Sequence, residues 1–179
     1  LKAFLSLTAG NVDNAATPGS ANNVTWSFDS GTEAFNWLAK DETLVLEYTI
    51  KATNSSSGTD TQTVTVTITG TNDDPVLSAG TGDTATKAFD ETDAALTATG
   101  KLSLTDADIT DTVDVTVDSL SISGTGAASA PNALDNAALK AFLSLTAGNV
   151  DNAATPGSAN NVTWSFDSGT EAFNWLAKD

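Results

Sequence analysis

Two long stretches of the chain alternate apolar and polar residues with period two. In TLVLEYTIK (43–51), Leu44, Leu46, Tyr48 and Ile50 fall on one face, opposite Glu47 and Lys51. In TQTVTVTIT (61–69), Val64, Val66 and Ile68 share a face and threonines fill the other. Such alternation predicts half-buried strands, and the polar run ATNSSSGTD (52–60) between them predicts a hairpin loop. Leu96, Ala98, Leu102 and Leu104 predict a further strand, broken at Gly100. Val113, Val115 and Val117 predict another, with a shift of parity at Leu120 and Ile122 that suggests a bulge. Val162, Trp164 and Phe166 predict a fifth, duplicated as Val24, Trp26 and Phe28. One segment, PNALDNAALKAFLSLTAG (131–148), does not alternate. Its Leu134, Ala138, Ala141 and Leu145 recur at helical spacing, with Asn132 as cap and Gly148 as stop, so it predicts a helix. A shorter helical turn is expected in TEAFNWLAK (170–178). Short strands joined by Thr, Gly and Asn turns make the expected fold a mostly β, antiparallel β-sandwich with a short helical insertion.

The strongest feature is an internal repeat. Residues 1–41 recur without a change as residues 139–179, an offset of 138 residues (139 minus 1). Chance does not produce 41 consecutive identities, so the chain reads as one period of a tandem array plus the start of the next. A period of 138 suits an independent domain rather than a solenoid unit. The boundary falls best at GTNDDPV (70–76). Pro75 cannot donate to a sheet ladder and biases Asp74 toward extended geometry. On this division residues 1–74 are the C-terminal part of one unit and residues 75–179 the N-terminal part of the next. Leu1 falls inside a helix-like pattern, so the chain reads as a piece of a longer one. Incomplete units expose strand edges, and completion by a swapped or self-associating neighbour is an expected partner mode, beside neighbouring repeats of the same chain.

Composition narrows the chemistry. Seven lysines face 23 acidic residues, for a net charge of −16. That balance disfavours nucleic acid and anionic membrane surfaces as partners and suits a protein that binds cations or stays soluble at high density. The chain has no Cys, His or Met. Disulfides, thiolate or imidazole metal sites and His-dependent nucleophilic catalysis are therefore excluded. Calcium and magnesium, which prefer oxygen ligands, remain open. No stretch approaches the roughly 20 apolar residues that span a bilayer.

Three acidic clusters stand out: Asn72-Asp73-Asp74, Asp106 and Asp108 with Asp111, and Asp41-Glu42. Strand direction predicts that they meet. The strand at 61–69 ends at the linker, so its antiparallel partner at 43–51 starts there, carrying Asp41 and Glu42. In the next unit the strand at 96–104 returns toward the same linker and ends in TDADITD (105–111). Calcium takes six to eight oxygens, and these clusters supply them. Glu91 is expected at the opposite end of its unit, serving the following joint.

These segments resemble the VCBS repeats of very large bacterial surface adhesins and RTX-type proteins. The likeness rests on GKLSLTDADITD, LAKDETLVLEYTIKATNSSSGTDTQTVTVTIT, GTNDDPV and VTWSFDSGTEAFNWLA, and it covers most of the period; the stretch near 131–148 is a less typical part. There is a wider similarity to cadherins. TNDDP resembles their D-x-N-D-N-x-P linker, TDADIT their D-A-D loop, and FDETDAALTATGKLSLTDAD their Glu-bearing first strand and the segment after it. Asp41 and Glu42 stand where cadherins use an Asp-x-Glu loop, here without the spacer. The resemblance implies an Ig-like or cadherin-like sandwich with Ca2+ at domain junctions, held by Asn72, Asp73, Asp74, Asp106 and Asp108. It also implies a secreted, extracellular or bacterial cell-surface setting. The glycine-rich nonapeptide calcium repeats of RTX proteins are absent.

The expected function is a structural extender module of a secreted biofilm or cell adhesin, stiffened by calcium at its joints. The rival reading is a carbohydrate-binding or self-associating adhesive module. It would use Trp26, Phe28, Phe35 and Trp37, repeated as Trp164, Phe166, Phe173 and Trp175, as a stacking platform. Trp26 and Phe28 alternate in phase with Val24, which assigns them to a core instead. A carboxylate pair such as Asp29 and Glu33 has the residue types of a glycosidase, but nothing in the pattern marks a cleft, and the chain is not read as an enzyme.

Overall fold

A computed structural model describes residues 4–127, 131 and 134–176. It is mostly β, with eight strands in antiparallel sheets and one short helix. The strands are β1 (Leu5–Ala9), β2 (Val24–Phe28), β3 (Thr43–Thr53), β4 (Thr59–Thr69), β5 (Val76–Ser78), β6 (Thr97–Thr105), β7 (Leu143–Ala147) and β8 (Val162–Asp167); the helix α1 (Asn136–Lys140) precedes β7. The chain divides into two compact units. One comprises Leu1–Asn36 with Asp41–Gly70, the other Trp37–Lys40 with Thr71–Asp179.

In the first unit, β1 pairs with β2, and β3 pairs with β4. The long hairpin follows from its sequence. Its register sets Leu44 opposite Ile68, Leu46 opposite Val66 and Tyr48 opposite Val64, so the apolar faces of both strands coincide. Its turn is organised by Asn54, whose Oδ1 accepts from the N–H groups of Ser56 and Gly58 at 3.0 and 2.9 Å. Ile50, Ala52 and Val64 of this hairpin and Leu7, Val24 and Trp26 of the β1–β2 pair line a common cleft of about 390 Å3.

In the second unit the order is β5-β6-β8-β7, all antiparallel. Leu38, Ala39, Leu104, Val162 and Trp164 are its buried apolar residues. β6 runs unbroken through Gly100, which lies directly opposite Trp164. A Cβ there would overlap the indole Cε2 and Cζ2 and come within 2.5 Å of Nε1. The glycine that looked like a strand break is the gap that lets the ring lie across the strand. The indole N–H donates to the Thr84 carbonyl at 2.5 Å.

Three local expectations change. The helix expected over 131–148 is confined to Asn136–Lys140, capped by Asp135, whose Oδ1 accepts from Ala138 N–H at 2.8 Å. The proposed cap Asn132 lies outside the described residues. The remainder, LSLTA, is strand β7. Leu143 and Leu145 alternate as well as they space helically, and a ladder partner in β8 decides the outcome. The strand expected at 113–117 keeps its alternation of half-buried valines and exposed polar residues but makes no ladder. An open cleft of about 490 Å3 separates Val115 and Val117 from α1 and β7, so the strand and its bulge do not form. Of the segment 170–178, residues 170–176 are described and make turns rather than a continuous helix, with Leu176 N–H on the Phe173 carbonyl; residues 177 and 178 lie outside the described residues.

Where both copies are described, the strands and turns of the duplicated segment recur. Leu5 faces Phe28 as Leu143 faces Phe166, and Leu7 faces Trp26 as Leu145 faces Trp164. Asn22 and Asn160 share a φ of 57°, and Phe35 and Phe173 are left-handed at 57° and 59°. The edge-to-face pair of Phe4 and Phe28 at 5.8 Å is matched by Phe142 and Phe166 at 5.9 Å.

Candidate acidic cation site

The loop after β6 turns on its own side chains. Asp106 Oδ1 accepts from the Asp108 N–H at 3.1 Å. Asp108 Oδ2 accepts from the Asp73 N–H at 2.9 Å, which fastens the TNDD segment to the TDAD loop. Both loop carboxylates are buried, Asp106 at 5% exposure and Asp108 at 0%. Asp108 Oδ1 is enclosed and has no hydrogen-bond partner. Burying an ionised carboxylate without a counter-charge costs several kcal/mol. Nothing among the described residues supplies that charge, since neither Asp106 nor Asp108 forms an ion pair with a lysine there.

The loop is held on both sides. Asp106 N–H donates to the Asp151 carbonyl at 3.2 Å, and Asp151 N–H donates to the Leu104 carbonyl at 3.1 Å. Ile109 N–H donates to the Trp37 carbonyl at 3.3 Å. Trp37–Lys40 belongs to the same unit as the loop, and its Leu38 and Ala39 are buried. This tie to Trp37, together with the backbone of Asp151, was not foreseen from the sequence. Only the apolar WLA run before Asp41 hinted at it.

The other expected site residues are spread over both units. Asn72 Nδ2 donates to Asp74 Oδ1 at 3.1 Å, and both side chains are exposed. Asp41 and Glu42 open β3 in the first unit. Asp41 N–H donates to the Gly70 carbonyl and Gly70 N–H to the Glu42 carbonyl, so both acids sit at the base of the hairpin. Asp111 is exposed, three residues beyond Asp108. Glu91 is exposed on the approach to β6, whereas Asp106 and Asp108 come after its end. β5 is only three residues long, so Glu91 is not on the first strand, where it was expected; it lies in irregular chain.

Asp73, Asp106 and Asp108 are thus joined by hydrogen bonds, and Asn72 with Asp74 flanks them. Among the described residues, no group of three or more His, Cys, Asp or Glu side chains is placed to hold a metal ion. The donor set is nonetheless all oxygen, and one enclosed atom, Asp108 Oδ1, is unsatisfied, which fits a hard divalent cation. Among the described residues, no helix is long and apolar enough to cross a membrane. No protein-family model, curated protein or solved structure matches the chain.

Proposed function

We propose that this chain belongs to a tandem extender region of a secreted bacterial adhesin, whose units are stiffened by calcium at their acidic poles. The observation that carries the proposal is the fully buried Asp108 carboxylate with an unpartnered oxygen, beside the buried Asp106. A chain of net charge −16 has little other means of neutralising them. The sequence resemblance to VCBS and cadherin repeats supplies the setting. Asp106 and Asp108 would hold the ion with Asp73, Asp74 and the Asn72 carbonyl oxygen, and Asp111, in the same unit, would be a further donor.

Calcium would supply positive charge where carboxylates otherwise repel. Asp73 is fastened to Asp108 through its backbone, so an ion on that carboxylate also fixes the linker running from Gly70 to Pro75. Order in that linker is what converts separate domains into a stiff spacer. Binding to the folded form alone adds stability by mass action, about 2.7 kcal/mol when free calcium is about 100 times Kd.

The test is a calorimetric calcium titration, with denaturation in EDTA and in millimolar calcium, on the chain and on its Asp106→Asn, Asp108→Asn double variant. Saturable binding and a calcium-dependent rise in stability, both lost in the variant, are expected. Superimposable denaturation curves in EDTA and calcium would sink the proposal.

One observation favours the adhesive-module reading: Trp26 and Val24 are about half exposed, at 48% and 54%. The identical Trp164 and Val162 are covered by the chain itself, at 8% and 1%, which supports a packing role for these side chains. Quenching of Trp emission by oligosaccharides would reverse that preference.

A further inference from the structure

The same residues are buried in one unit and open in the other, and the molecule itself shows what closes them. In the second unit β8 lies between β7 and β6. In the first, β2 pairs with β1 and, among the described residues, with no strand on its other edge. We propose that this edge of β2 is an acceptor site for an added strand, and that its occupant is a further copy of residues 84–105, from a second copy of the repeat.

The contacts made at β8 define the site. β6 pairs from Thr97 opposite Asp167 to Leu102 opposite Val162. Subtracting the 138-residue offset sets an incoming Thr97 opposite Asp29 and an incoming Leu102 opposite Val24. The backbone of β6 is gripped at both ends by side chains of the duplicated segment. Asn161 Oδ1 accepts from Leu104 N–H at 2.8 Å, and its Nδ2 donates to the Leu104 carbonyl at 2.9 Å. At the other end, Ser168 Oγ accepts from Leu96 N–H at 2.8 Å, and Ser168 N–H donates to the Leu96 carbonyl at 3.0 Å. Asn23 and Ser30 are the matching residues beside β2. Asn23 already holds the local half of its role, since its Nδ2 donates to the Asn11 carbonyl as Asn161 Nδ2 does to Asn149.

The site is selective as well as sticky. Main-chain bonds along an edge give affinity, and pockets for alternate side chains give specificity. Here the central residue of the added strand must be glycine, because a Cβ at Gly100 would collide with the indole across from it. Trp26 stands in that position in the first unit. Its N–H would then meet the carbonyl equivalent to Thr84, as Trp164 does.

Each chain carries two such acceptors, β2 and β8, and one donor segment. Exchange of β6 between two chains therefore fills no additional site, and only a further copy of the donor does. The site stands independently of calcium.

The test uses the intact chain and a synthetic peptide of residues 82–106, monitored by calorimetry and Trp emission in EDTA. One peptide per chain is expected, with a blue shift of Trp emission. The Gly100→Val peptide should bind at least tenfold more weakly, as should the native peptide to Asn23→Ala and Trp26→Ala chains. Failure to bind, equal binding of the Gly100→Val peptide, or binding indifferent to both chain variants would overturn the proposal. The last result would mean that the peptide displaces β6 from β8 instead.

Discussion

Gly100→Val in the chain itself should unfold the second unit well before the first. The valine Cβ would occupy space now held by the Trp164 ring, with Nε1 only 2.5 Å away. Pairing of Thr97–Leu102 with β8 and of Ser103–Thr105 with β5 keeps the strand from retreating, so the indole must leave. The duplicated Trp26 shows how exposed the ring is without β6: 48% against 8% for Trp164. The difference is two fifths of a side chain that buries up to about 250 Å2, or about 100 Å2. At about 25 cal/mol per Å2 this is about 2.5 kcal/mol. Loss of the bond to Thr84 adds about 1 kcal/mol, and the better strand propensity of valine returns up to about 1 kcal/mol. The net loss is about 2.5 kcal/mol. Trp37, Trp164 and Trp175 all lie in the second unit, so emission in a Trp26→Phe background reports that unit alone. With a urea m-value of about 1–2 kcal/mol/M for a unit of this size, the midpoint should fall by more than about 1 M. An unchanged midpoint would mean that Trp164 is not packed on residue 100, and the strand-acceptor proposal would lose its selectivity element with it.

Paired substitutions in the duplicated segment separate local from tertiary roles. Asn161→Ala removes both bonds to Leu104 and should cost about 2 kcal/mol. Asn23→Ala, in identical sequence, should cost under about 1 kcal/mol, read from urea curves followed by far-UV circular dichroism, which reports both units. Asp108→Asn keeps an acceptor for the Asp73 N–H and removes an unpaired buried charge. It should therefore raise the midpoint in EDTA while abolishing the increment that calcium gives the parent chain, as thermal denaturation with and without chelator will show. Asp135→Ala deletes the cap of α1 and should cost about 1 kcal/mol, visible as faster amide exchange at Ala138 by NMR.

The strands legible in the sequence are those whose alternation has no competing period. β3, β4, β6 and β8 appear where Leu44 to Ile50, Val64 to Ile68, Leu96 to Leu104 and Val162 to Phe166 put them. β7 was hidden because LSLTA satisfies both periods over five residues, and only β8 breaks the tie. The valines at 113–117 show the converse: the pattern is present, but the segment joins no ladder. In the acidic site, spacing alone brought out Asp106 and Asp108, and strand direction brought Asp73 toward them. That Asp73 contributes its backbone N–H as well, and that Trp37 and Asp151 hold the loop, depends on backbone geometry that leaves no signature in residue type.

The repeated 41 residues amount to a controlled comparison written into the chain. Strand register, the left-handed turns at Asn22 and Asn160, and the Phe4–Phe28 and Phe142–Phe166 pairs all recur, so these features are local properties of the segment. Burial does not recur. Val24 is exposed where Val162 is enclosed, and one difference between the two settings is that β6 lies alongside β8 but, among the described residues, not alongside β2. The core of this repeat is thus a property of strand addition rather than of the segment that supplies its largest side chain. A tandem chain built this way gains its tryptophan core only when the strand carrying Gly100 and the strand carrying the tryptophan, separated by more than 60 residues, find each other. That is a non-local pairing with a large loop-closure cost. The β7–β8 hairpin should therefore form first, with β6 docking later. In a refolding experiment, the blue shift of Trp164 emission should lag behind backbone protection of β7 and β8, and simultaneous appearance of the two signals would refute that order.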